Sequence, residues 1–431
     1  MENSLEFTGK PYPHWGRRFF TIWSGQAISM LGSQIVSFAI VWYLTEQTGS
    51  ATVLAIASMF GVIPNVLISP FAGAIADRNN RKNIMIISDL VVGLARLLGF
   101  FLFASGAIQV WHIYFMIFIG SAAGSFQHPA MAASTALMVP KRHLSRVAGM
   151  NQTLQGALSI AAPPLGALLM SFTSIANIFM LDFITMLLAV LPLFFIPIPH
   201  PISRKDENGD AIQRSFVEDL TEGFQYILSW RGLTLLLVSA MFINFLISPA
   251  MSLLPLLVKM HFGGDEVQLA LINSVLGIGM LIGGLTLSLW GGFKRRIFTT
   301  FMGLVIAGIS FAAIGFIPPT GFTIAVIIFL ISSMMIPLIN GPIHAVVQSA
   351  VIPEMQGRVI SLISTFAGLA MPIGLAVAGP LSDAVGIQTW FIIGGIFMSL
   401  AGLFGYLSPA MRGIEERPNK IIPKKDLEAV K

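Results

Sequence analysis

Cysteine is absent from all 431 residues, which excludes disulfides, thiolate metal sites and a cysteine nucleophile. Charge is scarce too: Asp, Glu, Lys and Arg make up 10% of the chain, against about 25% in soluble domains. No H-E-x-x-H or G-x-S-x-G string occurs, so two common hydrolase frames are missing. No phosphate-binding loop occurs, so ATP is not the expected energy source. The basic residues behind the sequence pI of 9.6 are spread over short loops, and no nucleic-acid-binding motif appears. Nothing in the sequence calls for a cofactor, a metal or catalytic residues.

What is abundant is apolar. Hydrophobic residues make up 55% of the chain and mean hydropathy is +0.81, the composition of a polytopic membrane protein. A span needs about 20 apolar residues, and charges mark where spans end. Uncharged runs 19–45 and 47–76 give two spans. A third follows Lys82 and contains Asp89 and Arg96, the gap 97–140 holds its end and a fourth, and 147–197 gives a fifth and a sixth with Asp182. Runs 232–258, 267–293, 297–353, 359–382 and 384–411 give six more, the longest divided at Pro318-Pro319-Thr320-Gly321. The first run ends without a small-residue cleavage site, so it is expected to be retained as a helix.

The expected fold is an all-α membrane protein with twelve transmembrane helices in two pseudo-symmetric six-helix bundles. Its predicted divisions are an N-terminal tail 1–18, a bundle 19–198, a linker 199–231, a bundle 232–411 and a C-terminal tail 412–431. Within the linker, Ser215 and Glu218 form a capping-box pattern ahead of apolar residues at helical spacing, which predicts an amphipathic surface helix over 215–230. The halves look like copies. Pro129 precedes Pro140 by the same interval as Pro342 precedes Pro353, and an amide, Gln127 or Asn340, stands two residues before the first proline of each pair. With cytosolic termini, all of the 25 basic residues except Arg96 and Lys259 fall on the cytosolic side, as the positive-inside rule asks.

In the turn from Gly73 to Lys82, GAIADRNNRK, Asp77, Arg78, Arg81 and Lys82 are packed into six positions after thirty uncharged residues, 47–76, so it marks a membrane-surface hinge. It resembles the loop between the second and third helices of the major facilitator superfamily, G-x-L-a-D-r-x-G-r-k, with Ile75 in place of Leu and Asn80 in place of Gly. The resemblance implies a transporter in which Asp77 latches the outward-open state at the start of the eleventh span, expected close to Arg358. Arg78, Arg81 and Lys82 would hold the loop at the headgroups. Gly149 and the later Ala162-Pro163-Pro164-Leu165-Gly166-Ala167 are similar to the superfamily's fifth-helix antiporter motif, whose physical point is close packing of a kinked helix at Pro163 and Gly166. FFTIWSGQAIS, WYLTEQTGSA and LAMPIGL look like the macrolide-efflux branch of the drug:proton antiporters. Membership there implies export of small hydrophobic drugs against protons at the cell membrane; no nucleic-acid partner is expected from the composition, and the chain is expected to be monomeric.

Intramembrane charge costs roughly 2.5–3.5 kcal/mol per residue on insertion scales, so Asp89 and Asp182 are candidates for proton coupling, with Arg96 and His128 beside them. Asp89 and Arg96, seven residues apart on one helical stripe, otherwise form a structural charge pair or support the hinge, and His128 otherwise packs. Gly120 stands where many superfamily members carry an arginine, so Arg96 is expected to take over that charge. Gln26, Ser29, Ser33, Gln152, Gln155, Asn244 and Asn340 either line a substrate cavity or tie helices together. Gly379–Gly386 repeats part of the hinge pattern without its basic residues and is expected to be a turn. Two alternatives remain. One is a proton symporter for a small metabolite; the other is an intramembrane aspartyl enzyme, which a depth difference of roughly 13 Å between Asp89 and Asp182 disfavours.

Overall fold

The computed structural model describes residues 14–198 and 216–415, and everything folded among them is helix. The helices are α1 (Trp15–Thr48), α2 (Ala51–Arg78), α3 (Arg81–Ala104), α4 (Val110–Met138), α5 (Lys141–Phe172), α6 (Ile175–Phe195), α7 (Phe216–Ser229) and α8 (Arg231–Ser252). There follow α9 (Leu254–Leu256), a π-helical turn Leu257–His261, α10 (Glu266–Trp290), α11 (Arg296–Ile314), α12 (Phe322–Ala350), α13 (Pro353–Val385), α14 (Gln388–Leu407) and α15 (Pro409–Arg412). Among the described residues, eleven helices are long and apolar enough to cross a membrane. The helix α4 has the 29 residues of α12, about 44 Å of helix, but His112, Gln127 and His128 lower its hydropathy.

Local chemistry sets the boundaries. Ser50 caps α2 by accepting from the Val53 N–H, and Gly49, at φ 59°, takes the left-handed turn that ends α1. Asn80, the departure from the hinge pattern, accepts from the backbone of Lys82 and Asn83 and so caps α3. Pro140 and Pro353 stand at the starts of α5 and α13, where a missing N–H costs nothing. Two expectations are corrected here. The eleventh span begins at Pro353, not near Arg358, because proline at the first helical position sets the start. Gly379–Gly386 is helical through Val385, and the chain turns only at Gly386, at φ 87°.

The described residues divide into two compact units, 14–198 with 264–274 and 216–263 with 275–415. In the first, α1 packs on α6 and α5, α2 on α4, and α3 on α4 and α6. Phe19, Ile22, Met85, Met186 and Leu193 form its core at one end. In the second, α11 lies between α12 and α14, and α8 packs on α13. Close approach there depends on glycine: a Cβ on Gly395 would stand 2.2 Å from the Ala312 nitrogen, and one on Gly308 would stand 2.6 Å from the Gly395 carbonyl oxygen. The helix α7 buries Tyr226 and Ile227 in this unit's core and leaves Leu228 exposed. Burial pushes the Tyr226 phenol up from its ordinary value, and a hydrogen bond with the Ile352 backbone works against that push. Ser215 lies outside the described residues, so the capping box does too.

Candidate functional site

Two buried polar tiers run through the first unit, and both are built from residues seven apart on α1 and α3. In the first tier Gln26 Nε2 donates to Asp89 Oδ2 at 2.8 Å. From α4, Gln127 Nε2 donates to Asp89 Oδ1 and, at 2.9 Å, to Gln26 Oε1. Asp89 is 5% exposed and, among the described residues, no cation pairs with it. Both its oxygens accept from neutral amides. An amide can also turn its carbonyl oxygen toward a protonated carboxyl, so this ring can serve either charge state. Gln127 sits beside Pro129, which offers no N–H to the Ser125 carbonyl, so α4 is weakened at the turn that carries the amide.

In the second tier, about 10 Å further along the helices, Arg96 Nε donates to Asp182 Oδ2 at 2.9 Å. Ser33 donates to the same carboxylate at 3.1 Å, and Thr185 contacts it at 3.5 Å. Gly32 makes this approach possible, since a Cβ there would stand 2.8 Å from Asp182 Oδ1. The Arg96 guanidinium lies 5.8 Å from the Phe179 ring centre and 3.9 Å from where a Gly120 Cβ would be. Its Nη1 is buried without a hydrogen-bond partner. Of the alternatives for these residues, a charge pair between Asp89 and Arg96 is not formed: Arg96 reaches across to Asp182 on α6.

The remaining candidates are dispersed. Ser29 is buried, and Asn244 spends its amide on the Ala240 carbonyl of its own helix. His128, Gln152, Gln155 and Asn340 are exposed. Gly166 is buried, and a Cβ there would stand 2.8 Å from the Phe38 ring; Pro163 is half-buried, while Gly149 faces open space. Arg81 and Lys82 do not simply rest at headgroups. Arg81 Nη1 donates to the Ala133 carbonyl at 3.1 Å and Lys82 Nζ to the Phe194 carbonyl at 3.0 Å, placing cations at the C-terminal ends of α4 and α6. The side chains of Gly73, Asp77, Arg78 and Arg358 lie outside the described residues. Gln127 and Thr185 were missed as site residues; the amide before Pro129 was visible only as a repeat marker. Among the described residues, no group of three or more His, Asp or Glu side chains gathers to hold a metal ion.

Long apolar helices with a charged interior and lipid-type surface, where Leu289 is 89% exposed, define a multi-pass membrane protein. Residues 22–375 match the Major Facilitator Superfamily, and the chain belongs to that family. It is 34% identical over 391 residues to macrolide efflux protein A of Streptococcus pyogenes, covering 89% of this chain and 94% of that protein. It is 23% identical over 404 residues to the multidrug efflux pump Tap of Mycolicibacterium fortuitum, again covering 89% and 94%. Among solved structures, a bacterial homologue of the human lysosomal transporter Spinster, inward-facing and unoccupied, matches with a TM-score of 0.72 at 13% identity, covering 96% of this chain and all of that one. A D-xylose–proton symporter matches at 0.64 and 13% identity, covering 90% and 96%. At such identities the likeness speaks to fold alone.

Proposed function

We propose that this transporter exports hydrophobic drugs, macrolides among them, in exchange for protons by alternating access, and that Asp89 carries the proton. The observation behind the reading is the contrast between the two tiers. Charge on Asp182 is met by Arg96, whereas charge on Asp89 meets only the amides of Gln26 and Gln127. A proton on Asp89 removes a charge that nothing nearby compensates, so its arrival and departure have the larger consequence for the surrounding helices. The similarity to macrolide efflux protein A supports the substrate class. The charge count supports cytosolic termini, and the repeated proline spacing supports two six-helix halves joined by the 199–231 linker.

Inverted vesicles carrying the protein, given an inside-acid pH gradient, should accumulate a labelled macrolide, and collapse of the gradient should release it. The Asp89→Asn protein should bind the drug but not accumulate it. Equal accumulation with and without the gradient would remove proton exchange from the account.

A further inference from the structure

The ring around Asp89 closes fully in one charge state only. Asp89 meets Gln26, Asp89 meets Gln127 and Gln26 meets Gln127, and each contact needs one hydrogen and one acceptor. Around the carboxylate the count is met: both amides donate to it, and Gln127 spends its second N–H on Gln26 Oε1. With a proton on either carboxyl oxygen the count fails. Left as they are, the amides offer the new O–H no acceptor. Turning over Gln26 alone sets its NH2 against that of Gln127, and turning over Gln127 alone brings two amide oxygens together. Turning over both leaves an amide oxygen against the bare oxygen of the carboxyl. The ring residues thus serve both charge states, but the neutral one always leaves one group unmatched.

The mismatch is relieved most easily at Gln127. Gln26 is 7% exposed, and its amide can turn over to meet protonated Asp89 edge to edge, accepting from the O–H and donating to the other oxygen. That pairing needs no third member. Gln127 is half-buried, on the turn of α4 that Pro129 deprives of a backbone hydrogen bond, so it is the member able to leave. Its Oε1 is also the open position of the ring: among the described residues it accepts no hydrogen bond, and solvent reaches it. The charged and titratable groups of the surrounding helices are engaged elsewhere. Arg96 and Asp182, the one charged residue of α6, pair with each other about 10 Å further along. Lys82 is spent on the Phe194 carbonyl, and α1 carries no charge between Arg18 and Glu46. His128 turns toward Gly124, its Nε2 3.9 Å from where a Cβ there would stand.

We propose that Gln127 ties drug binding to proton release: a substrate hydroxyl donates to Gln127 Oε1 while Gln26 and the Asp89 carboxylate hold Gln127 Nε2. The inference rests on the reading of Asp89 as the proton carrier. A donor bound at Oε1 fixes the amide in the orientation that suits the carboxylate, so the drug enters as the proton leaves. An acceptor on the drug would instead take Nε2 from the neutral form and keep the proton bound. A hydroxyl suits this position better than an ammonium, because one neutral amide oxygen does not offset a cation's loss of water. The test is calorimetric titration of purified full-length protein with erythromycin, a macrolide bearing several hydroxyls, in buffers of different ionisation enthalpy, which counts protons released per drug bound. The parent should release protons and bind more tightly as pH rises from acid to neutral, and Asp89→Asn should bind without release. Gln127→Met, close to glutamine in size, should bind about tenfold more weakly, the scale of one hydrogen bond, and should lose the release although Asp89 is intact. Erythromycin with its hydroxyls O-methylated should likewise bind the parent without release, a measurement that needs no variant to fold. A parent that binds without release would overturn the Asp89 reading and this inference with it. Release that is lost in Asp89→Asn but persists in full in Gln127→Met, or with the O-methylated drug on the parent, would overturn the role of Gln127 alone.

Discussion

At the scale of single residues, the informative contrast is between two aspartates with different company. Asp182 is 1% exposed and ion-paired, so Asp182→Asn would leave Arg96 buried without its counter-charge, an arrangement that costs about 3–5 kcal/mol in general. The Asp182→Asn protein should therefore unfold at a clearly lower temperature in detergent, while the paired change Asp182→Leu with Arg96→Met should recover most of the loss. A single variant as stable as the parent would show that the pair contributes little. Both acids were legible in the sequence because charge in an apolar run is conspicuous. Their partners were not. Gln26 and Gln127 are 101 positions apart, and which amide meets which carboxylate is decided by how α1, α3 and α4 are set against one another. A charge pair of Arg96 with Asp89 stayed open as an alternative for lack of that packing, although a seven-residue interval separates side chains by about 10 Å along the axis.

Among elements, spans were easy to count and their ends were harder. Gaps between charges located α1 to α6 and α10 to α14, yet α1 begins at Trp15, ahead of Arg17 and Arg18, because a helix can continue past the apolar core with charges at its end. The break after α8 was missed. Leu253, Pro255 and the π-helical turn through His261 interrupt a run that hydropathy alone reads as continuous. Close packing of α11 on α14 was also illegible, because a glycine signals permission and not a partner. With the Ala312 nitrogen 2.2 Å from a Cβ on Gly395, the obstacle is backbone and cannot swing aside. Gly395→Val should thus destabilise the second unit by at least the 1–3 kcal/mol usual for overpacking, seen as a lowered unfolding midpoint or lost expression. Gly149→Ala, at a position with open space around it, should leave the midpoint unchanged and serves as the control.

For the whole molecule, the repeated proline spacing falls on elements of like length, whereas α1 and α8, with 34 and 22 residues, differ. The helices α4 and α12 have 29 residues each, α5 and α13 have 32 and 33, and α6 and α14 have 21 and 20. The polar interior is not repeated: Gln127 belongs to the Asp89 ring, while its counterpart Asn340 is exposed. The proton exchange proposed above therefore involves the first half. The central claim is that a drug and a proton exchange at Asp89, and proton release on drug binding tests it most directly. Purified protein in weakly buffered detergent solution, near the pH at which transport is half-maximal, should release protons when a macrolide is added. Asp89→Asn should bind the macrolide without release. Undiminished release from Asp89→Asn, or drug binding to the parent protein with no release at any pH, would contradict the account.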